Sequence, residues 1–145
     1  MHVSTMTRAR QTAELIFQGM GDAAPKCAPV FNDDLRELFP CDPQPAVTNA
    51  ARSKDERQVE QAFEKYVHRP RGSAPSVELL VGHGNVTRYF LCRALQLPPE
   101  AWLRFSLPHC SVKVITISGR GRVSVQQVGS VGHLPPDLQT VHNVA

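Results

Sequence analysis

Two short stretches hold the residues best suited to chemistry on an anion. The first, Ser4-Thr5-Met6-Thr7-Arg8-Ala9-Arg10-Gln11-Thr12-Ala13, sets hydroxyl side chains ahead of an arginine. A guanidinium at the start of a helix can make two parallel hydrogen bonds to a phosphate, so Arg8 is a candidate phosphate ligand, whereas Arg10, two positions on, points elsewhere and reads as solvated. The second, Val81-Gly82-His83-Gly84-Asn85-Val86-Thr87-Arg88-Tyr89, puts His83 between an apolar run and a helical pattern. Ligands of open α/β sheets bind at the carboxyl ends of strands, and the free N–H groups and dipole of the next helix favour an anion there. An imidazole in that place can donate to a phosphoryl oxygen. Between the two stretches, Asp33, Asp34 and Glu37 surround Arg36. A desolvated carboxyl beside a phosphate pocket can stay protonated and serve as a general acid; a solvated acidic turn is the competing reading. His2, His68, His109, His133 and His142 read as structural or solvated, His109 the least clearly so.

These residues need elements to hold them. Arg8 to Gln18 has Ala9, Ala13, Ile16 and Phe17 on one helical face, with Ser4, Thr5 and Thr7 as hydroxyl caps and Gly19 and Gly21 as the stop. Cys27 to Phe31 reads as a short strand, and Phe39 to Asn49, with its three prolines, as a loop. Ser53-Lys54-Asp55-Glu56 forms a capping box ahead of a helix whose apolar face is Val59, Ala62, Phe63, Tyr66 and Val67. Arg69 to Ser76 reads as a polar linker. Val77 to Val81 has the short apolar run of a buried strand, and Asn85 to Leu95 follows as a helix. Pro99 to Phe105 reads as a short helix with proline at its start. Ser111 to Ser118 and Arg122 to Val128, rich in β-branched residues, flank the Gly119-Arg120-Gly121 turn as a hairpin. The tail, 129–145, shows no pattern. Helices and strands in alternation, closed by a hairpin, specify an α/β sandwich with a mixed sheet.

Composition narrows the function. A chain of 145 residues, 41% hydrophobic and 20% charged, has the size and make-up of one globular domain. No apolar run approaches the roughly 20 residues of a membrane-spanning helix, and the opening residues lack the apolar core of a signal peptide. A net charge of +3 gives no argument for nucleic acid as a partner. The 16 basic residues divide into 12 Arg and 4 Lys, a ratio that compositional bias explains as well as phosphate recognition does. Cys27, Cys41, Cys92 and Cys110 show neither C-x-x-C nor zinc spacing, and they read as reduced thiols of an intracellular protein with no metal site.

The two opening stretches, joined by Leu35-Arg36-Glu37, Asp42-Pro43-Gln44-Pro45-Ala46-Val47 and the runs 60–69 and 83–104, resemble the histidine phosphatase (phosphoglycerate-mutase-like) superfamily. The likeness is strongest to its branch of mitochondrial serine/threonine protein phosphatases, and it covers almost the whole chain. It implies a three-layer α/β sandwich and a cofactor-free, metal-free hydrolysis of phosphomonoesters in two steps through phosphohistidine. It implies that Arg8 clamps phosphate, that His83 is the second pocket histidine, that Glu37 donates the proton to the leaving oxygen, and that the Gly84 backbone and Asn85 shape the turn beside the phosphate. His109-Cys110-Ser111 stands where the family usually has Asn-Gly/Cys-Ser. The implied substrate is a phosphoprotein, with homo-oligomers and a mitochondrial location, and otherwise a cytoplasmic one.

The family's Arg-His-Gly, whose His is the nucleophile, has no counterpart in these residues. The reading is therefore a partial histidine phosphatase domain over 1–145, missing its first, central strand, and inactive by itself. A fragment, a misplaced gene start or a shortened isoform is favoured over a selected pseudophosphatase. The alternative function is a catalytically dead phosphate- or phosphopeptide-binding scaffold that pairs with a full-length paralogue. Action on small phosphate esters fits the resemblance less well.

Overall fold

The computed structural model describes residues 1–47, 55–70, 72 and 74–141. The chain runs through β1 (His2–Ser4), α1 (Thr7–Met20), β2 (Val30–Asn32), α2 (Glu56–Tyr66), β3 (Leu80–Val81), α3 (Gly84–Ala94), β4 (Val112–Ile117) and β5 (Val123–Ser130), with short 3₁₀ turns and a six-residue 3₁₀ helix over Pro99–Arg104 besides. The described strands form two sheets: a parallel one in the order β2-β1-β3, and an antiparallel β4-β5 hairpin. Parallel and antiparallel pairings are both present, as the mixed-sheet reading requires.

The parallel register aligns His2 with both Val30 and Leu80, and Val3 with Phe31 and Val81. All three strands therefore end on the same side, and the segments that leave them, Thr5–Thr7, Asp33–Glu37 and Gly82–Asn85, converge there. Ala9 and Ala13 are buried on α1 and share a cluster with Val3 and Val81. Two small side chains on that face let the helix lie close to the sheet and bring its first turn beside the strand ends.

The larger core lies under α2 and α3. Leu35, Phe39, Val59, Ala62, Tyr66, Val86, Tyr89, Phe90 and Trp102 form one buried cluster. Trp102 meets Phe39 edge-on at 5.1 Å between ring centroids and donates its indole N–H to the Cys41 carbonyl at 3.0 Å. The proline-rich segment after Glu37 is thus anchored despite its lack of regular structure. Tyr89 and Arg93 on α3 both reach the Glu60 carboxylate on α2.

Several elements depart from the sequence reading. The third strand is Leu80–Val81 alone, and Val77 is 97% exposed. β1 has only three residues, so it offers no partner to 77–78. β2 begins at Val30, later than expected. The tail is partly ordered: β5 extends to Ser130, Pro136–Leu138 forms a 3₁₀ turn, and Val141 bridges to Pro108. His109 holds the tail through Thr140, with its backbone N–H on the Thr140 carbonyl at 2.9 Å and Nδ1 2.8 Å from the Thr140 hydroxyl. All four cysteines are free thiols.

The start of α2 also differs. Ser53 and Lys54 of the expected capping box lie outside the described residues, and the N-cap is Asp55, whose carboxylate accepts the Gln58 N–H at 2.9 Å. Replacing Asp55 by Ala should cost about 1 kcal/mol, read as a lower urea midpoint with an unchanged slope. Asp55→Ser should restore most of the loss.

Candidate active site

Three segments meet at the carboxyl ends of the parallel strands. His83 lies in the third of these, Gly82–Asn85, 6% exposed, as the N-cap of α3. Both of its ring nitrogens are engaged by protein groups. Arg8 Nε donates to Nδ1 at 3.1 Å, and Nε2 lies 2.8 Å from the hydroxyl of Ser4, which is fully buried. A guanidinium can only donate, so Nδ1 must be the bare nitrogen. The hydrogen then sits on Nε2 and is donated to Ser4 Oγ. Burial, with the nearby Arg8 and Arg36 charges, pushes the imidazole pKa down to about 4. In this state His83 is a neutral brace for Arg8, and its N–H is turned to Ser4 instead of to a ligand.

Ser4 accordingly does not cap α1. Its hydroxyl also accepts the Met6 N–H at 3.3 Å, while Thr5 Oγ1 donates to Asp33 at 2.5 Å. The N-cap of α1 is Met6, with no side-chain cap bond and no acidic residue in the first turn. The positive end of the helix dipole is therefore left uncompensated by a side chain. An open pocket of about 520 Å³ lies against it, lined by Thr5, Met6, Thr7, Arg8, Gln11 and Arg36. Two guanidinium groups, two threonines and a glutamine amide suit an anion with several acceptor oxygens.

The acidic cluster is dispersed by the fold. Asp33 faces Arg36 at 3.6 Å, and the Thr5 bond holds its carboxyl below the usual range. Asp34 joins Lys65 and Tyr66. Glu37 turns the other way, where its Oε1 accepts the Asn85 backbone N–H at 3.2 Å. Burial raises its pKa, against the opposing pull of the Asn85 N–H and the Arg8 and Arg88 charges. Its own N–H donates to the Met6 sulfur at 3.4 Å, tying this segment to the start of α1.

The N-terminus of α3, expected to await an anion, thus already holds the protein's own Glu37 carboxyl. Asn85 is equally occupied, since its Nδ2 donates to the Leu38 carbonyl and its Oδ1 accepts from Arg88 Nη1. It acts here as a strut. Gly84 opens α3 beside Arg88, whose Nη1 would lie 3.7 Å from a Cβ at that position. His2 lies near the opposite end of β1, its ring 5.0 Å from that of Tyr66.

Arg8, Glu37, His83 and Asn85 are brought together as the sequence suggested. Ser4, Arg36 and Arg88 were not singled out from residue pattern alone. Of these, only Arg88 left a signal: its i, i+3 spacing from Asn85 places the two side chains side by side on a helix. Among the described residues, no group of three or more His, Cys, Asp or Glu is arranged to hold a metal ion.

A parallel sheet with an arginine-lined pocket at its carboxyl edge, beside a buried histidine and a carboxyl of raised pKa, defines an α/β domain whose site chemistry suits a phosphate. The sequence profile of the histidine phosphatase superfamily, branch 1, matches residues 42–128, and the chain belongs to that family. Over 148 residues it is 43% identical to the mitochondrial serine/threonine-protein phosphatase Pgam5 of Caenorhabditis elegans, covering 94% of this chain and 50% of the relative. The Drosophila willistoni Pgam5 is 44% identical over 142 residues, covering 91% of this chain and 47% of the relative. Among solved structures, a phosphoglycerate mutase from Plasmodium falciparum superposes with a TM-score of 0.65 at 31% identity, over 93% of this chain and 72% of that one. The chain spans about half the length of the curated relatives it matches.

Proposed function

We propose that this chain supplies the phosphate pocket and proton donor of a mitochondrial serine/threonine protein phosphatase. The observation that carries the reading is the paired Arg8 and Arg36 at the uncapped start of α1, with His83 bracing Arg8 from behind. The 43% identity to a mitochondrial serine/threonine-protein phosphatase supports the substrate class and the location. In the reaction, the two guanidinium groups hold the equatorial oxygens of a phosphoserine or phosphothreonine as charge develops on them. A histidine nucleophile attacks phosphorus in line, and the leaving hydroxyl takes its proton from Glu37, whose raised pKa keeps more of it protonated. Water then cleaves the phosphohistidine.

These 145 residues contain no Arg-His-Gly, and the one imidazole bonded into the site among the described residues, His83, has both nitrogens committed. The chain by itself is therefore expected to bind phosphate without turning it over. Inorganic phosphate should raise the thermal midpoint relative to chloride at equal ionic strength, following the logarithm of its concentration. A phosphothreonine peptide should bind and release no phosphate. Absence of any phosphate-dependent stabilisation would sink the pocket assignment, and sustained phosphate release would sink the missing-nucleophile assignment. Determining the N-terminal residues of the native protein tells whether Arg-His-Gly is supplied in the same polypeptide.

A further inference from the structure

Arg88 is the most deeply buried charged side chain of the described residues, at 5% exposure. A buried cation is costly unless its donors are satisfied, and burial lowers its own pKa. Its bonds run to two neutral acceptors: Nε donates to the Phe105 carbonyl at 2.8 Å, and Nη1 to Asn85 Oδ1 at 3.0 Å. Asn85 passes the constraint on, its Nδ2 donating to the Leu38 carbonyl and its backbone N–H to Glu37 Oε1, each at 3.2 Å. A continuous chain of hydrogen bonds thus leads from the interior, beneath α3, to the carboxyl at its N-terminus.

We propose that Arg88 is a positioning residue for Glu37: by locking Asn85 it fixes the N–H that grips the carboxylate, and so sets how tightly Glu37 holds its proton. The proposal rests on the reading of Glu37 as proton donor. The guanidinium fork suits the task because one planar group fixes two acceptors at once, which an ammonium on a flexible stem does less well. The charged groups facing Glu37 are Arg8 from α1 and Arg88 from α3, and the backbone N–H groups of Asn85 and Leu38 complete its surroundings. Arg88 therefore acts in two ways, through its charge and through the orientation of Asn85, and both favour the ionised carboxylate.

The test is a carboxyl ¹³C NMR titration of Glu37 in the 145-residue chain, without phosphate. Arg88→Met should raise the Glu37 midpoint by about one unit, a tenfold gain in proton affinity. Arg88→Lys keeps the charge and gives up the fork, and should produce a smaller rise. Asn85→Ala guards against a failure of the Arg88 variants to fold, because it keeps the backbone N–H and removes only the strut. Its midpoint should rise as well. A folded Asn85→Ala that titrates at the wild-type midpoint overturns the proposal, as does a folded Arg88→Met that does so. The titration is made with Arg8 intact and without phosphate, so whether phosphate binds at Arg8 has no bearing on it, and a failure of the pocket assignment is seen separately in the phosphate-binding measurement.

Discussion

Replacing Arg8 by Met should weaken the binding of inorganic phosphate by roughly 30- to 150-fold, the equivalent of about 2–3 kcal/mol for charge-assisted hydrogen bonds lost from one guanidinium. Arg8 is solvent-exposed at the first turn of α1, lines the pocket, and is oriented by His83 Nδ1 at 3.1 Å. The side chain packs no core, so the fold should survive its loss. Isothermal titration at pH 7.5 measures the effect directly. Arg8→Lys should recover only part of it, because an ammonium cannot both donate to the imidazole and fork onto the ligand. A secondary consequence identifies the geometry: Arg8 is one of the two cations that depress His83, so Arg8→Met should also raise the His83 titration midpoint. An Arg8→Met protein that binds phosphate like the wild type would remove this arginine from the site.

Acid should destabilise the protein through His83. In the unfolded chain its imidazole takes up a proton near pH 6.5, and in the folded protein only near pH 4. Between those values the unfolded state binds more protons, so stability falls as pH falls through this window and is fully present above it. A shift of that size corresponds to about 3 kcal/mol. His2 acts in the same direction, since burial lowers its pKa as well. Glu37 acts in the opposite one, because its raised pKa makes the folded state the better proton binder near its own midpoint. His83→Gln isolates the term: a glutamine amide can accept from Arg8 and donate to Ser4 without titrating. Urea unfolding between pH 7 and 4.5 should show a clearly shallower decline for His83→Gln than for wild type. Parallel declines would mean that His83 is not held neutral.

The residues brought together at the carboxyl edge of the sheet were legible because chemistry and spacing agreed. Arg8 follows a run of hydroxyl side chains, and His83 stands where an apolar run gives way to a helix. The partners of those residues were not legible. Ser4 reads as a helix cap in any local window, and only the pairing of β1 with β3 shows it bonded to His83, 79 positions away. Asp33, Asp34 and Glu37 look like one acidic cluster, yet they part toward Arg36, Lys65 and Asn85 because the 3₁₀ turn over Asp33–Leu35 rotates successive side chains apart. The α3 N-terminus reads in the sequence as a place for a ligand anion, and the group found there is the protein's own Glu37 carboxyl. Helix extents followed the apolar periodicity of Ala9, Ala13, Val59 and Ala62. Strand extents followed the sequence less well, since the length of a parallel strand is set by a partner far away in the chain.

The hydrogen bonds that join Arg8 and Ser4 to His83 span 75 and 79 positions. During synthesis at about 5–20 residues per second, on the order of 4–16 s separate the making of Ser4 from that of His83. Once Val30–Asn32 has been made, β1 can pair with it on one side, while Leu80–Val81, which pairs with the other edge, is still to come. The pocket is therefore a late product of translation: its arginine waits at the ribosome for the histidine that will orient it. Chaperones have their greatest opportunity to act before α3 emerges, and pauses in translation upstream of Leu80 should lower the yield of folded protein more than pauses after Ala94.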